Sequence, residues 1–185
     1  MAYDHFLRHT PRDFEALERA IEQERAELQA AEFRDDLLDV LDHAGNLGAM
    51  LTSARREREG YAVLASRLEQ ARRTSDAEPA AWLIHALATS AQYLDRYDEA
   101  NDLFELAIQR ARAHGWRKLE HFVLHHWGRC MVEQARFAQA RSCFEQSLAI
   151  RESEDDPLQE SSRRALSELD KREAAYMVAN RPACA

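Results

Sequence analysis

His121 and His125 stand four residues apart, one helical turn, so a helix would aim both imidazoles to the same side. That is ligand spacing for zinc or nickel, and His114 and His126 lie close by in sequence. A metal-binding protein built on this His121/His125 cluster is therefore one reading of the chain. Against it, the intervening Phe122-Val123-Leu124 lacks the glutamate with which an H-E-x-x-H hydrolase activates water, and no carboxylate is clearly on the same face. His5 and His9 show the same spacing in a chain end expected to be disordered, so the spacing arises here without a purpose. We expect neither a native metal nor a cofactor.

Other chemistry finds less support. The glycines at 45, 48, 60, 115 and 128 build no phosphate loop or dinucleotide fingerprint. No serine or cysteine has a recognisable nucleophile setting, and the carboxylates fall at the spacings of solvated helix faces paired to arginine. The expectation is a protein that is not an enzyme. Three cysteines make a poor disulfide framework, with Cys130 and Cys143 read as small apolar fillers and Cys184 falling in a tail. MAYDHFLRH lacks the apolar core of a secretory signal, and no later run suits a membrane span, which points to a cytoplasmic protein. A net charge of −8 argues against nucleic acid, whose binding depends on lysines and arginines that neutralise phosphates.

The elements that would position these residues are helices. Ala, Leu, Glu, Arg and Gln dominate, five glycines and four prolines are few, and no alternating apolar run suits a buried sheet. With 185 residues and 45% hydrophobic content, one all-α domain with a continuous core is the simplest organisation. Shifted by 40 residues, the chain falls on itself without a gap. Leu47, Leu87 and Trp127 coincide, then Gly48, Ala88 and Gly128, then Leu51, Ala91 and Met131, which mark one helix face. After a turn, Gly60, Ala100 and Ala140 coincide, then Leu64, Phe104 and Phe144, then Leu68, Ile108 and Leu148, which mark a second. Small residues let paired helices approach to about 8 to 10 Å, and the bulky ones fill the grooves. Neither helix buries its stripe alone, so a repeat of this length predicts a solenoid of antiparallel helix pairs.

These residues resemble the tetratricopeptide repeat. The second copy carries Leu87 and Ala88, then Tyr97-Asp98-Glu99-Ala100, Phe104 and Ala107; the third carries Trp127-Gly128, Phe137, Ala140 and Phe144, with Ser147 where the family usually has alanine. The first copy is degenerate, with Glu57, Gly60 and Arg67 at the corresponding places. The usual proline near the end of each repeat is missing, and the long-repeat variants of kinesin light chains and bacterial peptide-sensing regulators look most similar. The resemblance covers about residues 35 to 152 and implies a right-handed solenoid of about eight helices that binds a protein or peptide in its concave groove.

By the family's pattern the groove is lined from the first helix of each pair. The first copy offers Asp42, Gly45, Asn46, Ala49, Thr52 and Ser53. The second offers Trp82, His85, Ala86, Thr89, Gln92 and Tyr93, and the third Phe122, His125, His126, Arg129, Val132 and Glu133. Aromatic anchors mixed with hydrogen-bonding groups have the composition of a recognition surface. The lysine and asparagine set that clamps a terminal carboxylate in some members is absent. In its place His85, His125, His126 and Arg129 form a locally basic strip, predicting an acidic or polar partner segment with an apolar anchor and pH-sensitive binding. The bland reading is that these histidines are solvated and that Trp82 and Phe122 pack between repeats.

The remaining segments frame the repeats, at 35–73, 77–113 and 117–152. Thr10-Pro11-Arg12-Asp13 is a helix start, and the helix it opens, residues 11–32, fits either a capping half repeat or a dimer helix through Phe14, Leu17, Ile21, Leu28 and Ala31. A self-associating scaffold is accordingly the structural alternative to a peptide-binding adaptor, with a homodimer as its form. Arg56, Arg96 and Arg136, identical at the turn of every copy, are expected to tie turns together or cap helices. A capping helix over 157–177 carries Leu158, Ala165, Leu166, Leu169 and Ala175 as its stripe, and RPACA is expected to fray.

Overall fold

The computed structural model describes residues 5–180, so Cys184 and the RPACA segment lie outside the described residues. Among those described the chain is all-α: α1 (Phe14–Arg34), α2 (Leu37–Ser53), α3 (Glu57–Ala65), α4 (Leu68–Arg73), α5 (Glu78–Gln92), α6 (Tyr97–His114), α7 (Arg117–Glu133), α8 (Phe137–Ser153) and α9 (Gln159–Ala179). None of these helices is long and apolar enough to cross a membrane.

The 40-residue period is written into the backbone. Arg55, Asp95 and Ala135 take left-handed conformations, with φ of 65°, 59° and 55°. Each is followed by an arginine whose amide reaches back to the last helical turn, Arg56 to the Leu51 carbonyl at 2.9 Å, Arg96 to Ala91 at 3.0 Å and Arg136 to Met131 at 2.9 Å. These bonds satisfy carbonyls that a helix end leaves open. The same device closes α1 at Asp35, α6 at Gly115 and α8 at Asp155, twenty residues out of phase with the first set. The three arginines then turn to the residue three positions on: Arg56 Nε donates to Glu59 at 2.8 Å, Arg96 Nη1 to Glu99 at 3.4 Å and Arg136 Nε to Gln139 at 2.7 Å. Arg96 also lies over the Tyr61 ring at 4.4 Å, and Tyr61 donates to Glu99 at 2.6 Å, which ties two turns together.

Two compact units divide the chain. In the unit Arg8–Leu119, α2 packs on α1, α3 and α5, and α5 on α3, α4 and α6. Leu41, Leu47, Leu51, Leu64, Leu83, Ile84, Leu87 and Phe104 are its buried bulk. The small positions do what their register required: a Cβ on Gly48 would lie 2.3 Å from Leu64 Cγ, and one on Gly60 would lie 2.7 Å from the Gly48 carbonyl oxygen. The second helix of this first pair is broken, which is why nine helices stand among the described residues where about eight were expected. Ser66 Oγ donates to the Val63 carbonyl at 2.7 Å and the Arg67 amide bonds Leu64 three residues back, a tightening that stands where α3 ends. Arg110, buried on α6, donates to the last carbonyls of α4, Ala71 at 2.8 Å and Arg72 at 2.9 Å.

Helix α1 is capped by Asp13, which accepts from the Ala16 amide at 2.8 Å, rather than by Thr10. Its Ile21 packs into a cluster with Leu47 and Leu51, flanked by Leu17 and Leu28. Glu24, at the register position of Leu64 and Phe104, pairs with His43 at 2.8 Å instead. The apolar seam weighed as a dimer face is thus largely used inside the chain, and polar substitutions at Ile21 and Leu28 would test folding rather than association.

The other unit, Glu120–Ala185 with Met1–Leu7, holds most of α7 and all of α8 and α9. Gly128 lets α8 approach α7: a Cβ there would meet the Phe144 ring at 2.7 Å. Ser147, at the family's alanine position, is buried and donates to the His121 carbonyl at 2.9 Å. Cys130 and Cys143 are buried free thiols, and burial first, with Glu133 second, pushes Cys130 up to about 12. On α9 Ser162, Ala165 and Leu169 are buried, whereas Leu158, just ahead of the helix, and Ala175 are exposed.

Candidate functional site

On α7, Arg129 and Glu133 lie four residues apart on one face, and that face holds a piece of the chain's own backbone. The Phe6 amide donates to Glu133 Oε1 at 2.9 Å, and Arg129 Nε donates to the Phe6 carbonyl at 3.0 Å. His5 Nδ1 donates to the other oxygen of the same carboxylate at 3.0 Å. Both main-chain groups of one residue are thereby read by two charged side chains, neither of which depends on the side chain of the residue held. Hydrogen bonds to charged groups contribute about 1.5 to 3 kcal/mol each. The clamp is dry, because the Glu133 side chain is 1% exposed and Arg129 5%.

The side chain of Phe6 is read separately. Its ring lies 6.4 Å from that of Phe144, which in turn stands 5.5 Å from His125. Gly128 keeps this side of α7 low enough for Phe144 to lie against it. The result is an aromatic seat beside a main-chain clamp. The segment that fills it is no strand: Leu7 follows in the left-handed region at φ 49°, a conformation disfavoured for a branched side chain.

In the unit Arg8–Leu119 the next residue is anchored in its own way. Arg8 donates through Nη2 to the Thr52 carbonyl at 2.8 Å, pairs with Glu57, and lies over the Tyr93 ring at 4.1 Å. Its side chain is only 5% exposed. In the stretch expected to be disordered, His5, Phe6 and Arg8 each have named contacts.

Of the residues assigned to a groove from the sequence, Arg129 and Glu133 converge on Phe6, and Tyr93 on Arg8. Thr52 accepts from Arg8 through its carbonyl, and His125 stands beside Phe144; the remaining residues have other partners. Asn46 is exposed and donates to Asp42 at 3.2 Å. Trp82 gives its indole hydrogen to Glu78 at 3.1 Å and stands edge-on to His85, whose carbonyl accepts from Thr89 at 3.1 Å. Gln92 is buried with its Nε2 lacking an acceptor. Phe122 is half-buried, stacks on His121 at 4.9 Å and has His126 against its edge.

The basic strip needs correcting. His85 is 6% exposed and His125 9%, and burial pushes each down to about 3, with Arg151, Arg129 and His121 adding to the effect at His125. Both are neutral near pH 7, so neither can attract an acidic segment or give binding a pH switch near neutrality. The metal reading meets a second obstacle. Arg151 Nε donates to His121 Nδ1 at 3.1 Å and its Nη1 lies 3.4 Å from His125 Nδ1, so a cation already stands between the two imidazoles. Among the described residues no three metal-ligating side chains converge.

His5, Phe6, Arg8, Glu57 and Phe144 are the contributors that sequence reasoning missed as site residues. Phe144 was visible, but as core. Glu57 was visible only as a departure from the repeat pattern, and the only signal for His5, Phe6 and Arg8 is that MAYDHFLRH places an aromatic and an arginine just ahead of α1, which no periodicity can interpret. No model of a known protein family matches the chain, and no curated protein matches it in sequence.

Proposed function

We propose that this chain is a non-enzymatic adaptor that binds a peptide segment of a protein partner, as a tetratricopeptide-like solenoid with its recognition face on the first helices of the pairs. The observation that carries the reading is the grip of Arg129 and Glu133 on the two main-chain groups of Phe6. A surface that takes up peptide bonds in this way, with an aromatic seat alongside, has the parts by which segments are recognised: main-chain hydrogen bonds for affinity and a side-chain site for choice. The repeat of the closing turn at Arg55, Asp95 and Ala135 supports the architecture. Localisation in the cytoplasm is part of the same proposal.

The partner chemistry departs from an acidic segment. With His85 and His125 neutral, the charged groups in contact with His5 and Phe6 are Glu133 and Arg129. The partner segment is accordingly one with an aromatic residue preceded by a hydrogen-bond donor.

Selection from a random peptide library on the full chain tests this. Peptides should be recovered that lose at least tenfold in affinity to Arg129→Met and to Glu133→Ala, both of which must keep the far-ultraviolet helical signal. A library that yields no binder, or only binders indifferent to both changes, would count against peptide recognition. A His125→Glu variant is unsuitable, since it would bury a carboxylate and disturb the fold.

A further inference from the structure

Resting on that peptide-binding reading, we propose that Arg129, Glu133 and Phe144 form a site for one aromatic residue of a partner segment, and that Phe6 is its internal, competing ligand. The contacts given to Phe6 are those a foreign residue could take over without change: an amide hydrogen to Glu133, a carbonyl oxygen to Arg129, a ring against Phe144. None depends on where in the chain the residue sits. His5 adds a contact to the second oxygen of Glu133, so a hydrogen-bond donor before the aromatic residue is favoured in the partner as well.

Two features make the internal ligand replaceable. Phe6 and Leu7 form a turn rather than part of a helix, so their release breaks no helical hydrogen bond. Leu7 is held at φ 49°, and a segment free of that conformation binds without its penalty. Phe6 thus sets a threshold. If the seat is open a tenth of the time or less, apparent affinity for any partner falls at least tenfold.

The test uses the full chain and a labelled synthetic peptide of sequence His-Phe-Leu-Arg-His-Thr, copying residues 5–10. Phe6→Ala should bind it at least tenfold more tightly than the wild type. Adding Arg129→Met to Phe6→Ala should abolish binding, as should replacing the peptide's phenylalanine with alanine. Phe6→Leu, which keeps an apolar side chain over Phe144, serves if the alanine variant does not fold, and should give intermediate release. Equal binding by wild type and Phe6 variants would overturn the proposal, as would binding that survives Arg129→Met. A doubled mass for the wild type that Phe6→Ala halves would also overturn it, since the occupant would then be a second copy. Library peptides that need Arg129 yet bind wild type and Phe6→Ala equally would leave the adaptor reading standing and remove only the internal ligand.

Discussion

Arg151 donates its Nε hydrogen to His121 Nδ1 at 3.1 Å, with both side chains shielded from solvent. The same guanidinium reaches Ser162 Oγ at 2.8 Å, Ser161 Oγ at 2.9 Å and the Leu158 carbonyl at 3.1 Å. It therefore ties the start of α9 to α7 through α8. Burial lowers its pKa to about 10, which leaves it charged near neutrality. A metal at His121 and His125 would have to displace this cation and strand its acceptors. Nickel or zinc at stoichiometric concentration should leave the wild-type melting temperature unchanged, whereas Arg151→Met should cost roughly 2 to 4 kcal/mol through the unpaired acceptors. Thermal melts with and without nickel check the first and urea titrations the second, and a wild-type transition raised several degrees by the metal would contradict the first.

Gly128 and Phe144 form a size-matched pair. A methyl group at 128 would sit 2.7 Å from Cε1 of a buried ring. Gly128→Ala should therefore destabilise by about 1 to 3 kcal/mol, the range for overpacking. Phe144→Leu in the same chain opens the space, so the double variant should be more stable than the sum of the two singles by at least about 0.5 kcal/mol. Gly60→Ala offers the contrast. Its Cβ would meet the Gly48 carbonyl oxygen at 2.7 Å, backbone that no side-chain change can withdraw. Chemical denaturation of the four chains separates the cases, and strict additivity at 128 and 144 would mean that the ring moves aside freely.

The register that brought Gly48 to Leu64 and Gly128 to Phe144 was legible because close helix packing selects small and large residues at fixed intervals. The turn arginines were legible for the same reason, repetition. The clamp was half legible: Arg129 and Glu133 were placed together on one helix face, but nothing local says what covers it. The bond from Phe6 to Glu133 spans 127 residues and begins in an aperiodic segment. Exposure failed for one physical reason. A family pattern tells which way His85 and His125 face, whereas burial depends on Phe104, Phe144 and every other group stacked over them. The break at Ser66 was missed because a serine hydroxyl turned onto a carbonyl leaves the apolar period intact.

The buried histidines set an acid limit on the fold. In the unfolded chain each takes a proton near its ordinary pKa of about 6.5. In the folded chain His85 and His125 resist protonation down to about 3, burial being the main cause. Between those values the unfolded state binds more protons, so this stability is complete above pH 6.5 and is lost as pH falls toward 3. The loss should reach about 1.4 kcal/mol per pH unit for each histidine. Denaturation at pH 7, 6 and 5 should show the decline, and the two imidazole proton resonances should stay fixed over the same range. Resonances that moved with a midpoint near 6.5 would place both rings in water.

Gly115 and Ala135 occupy the same backbone conformation with opposite fitness. Gly115 closes α6 at φ 69° and a Cβ built there meets nothing within 4 Å, so Gly115→Ala is penalised by conformation alone. Ala135 closes α7 at φ 55° and already bears that penalty. For an L-residue the left-handed region costs about 1 to 2 kcal/mol, offset in part by the greater freedom that glycine has in the unfolded chain. Gly115→Ala should accordingly lower stability by about 1 kcal/mol, and Ala135→Gly should raise it by a similar amount. Neither change removes the bonds from Trp116 to the Ala111 carbonyl and from Arg136 to Met131, both 2.9 Å, so the helix ends remain closed. Urea midpoints at constant m-value decide the matter. Shifts of the same sign at the two positions would mean that the turns are held by contacts beyond the backbone, and that the 40-residue period in φ is a consequence of packing rather than a separate constraint.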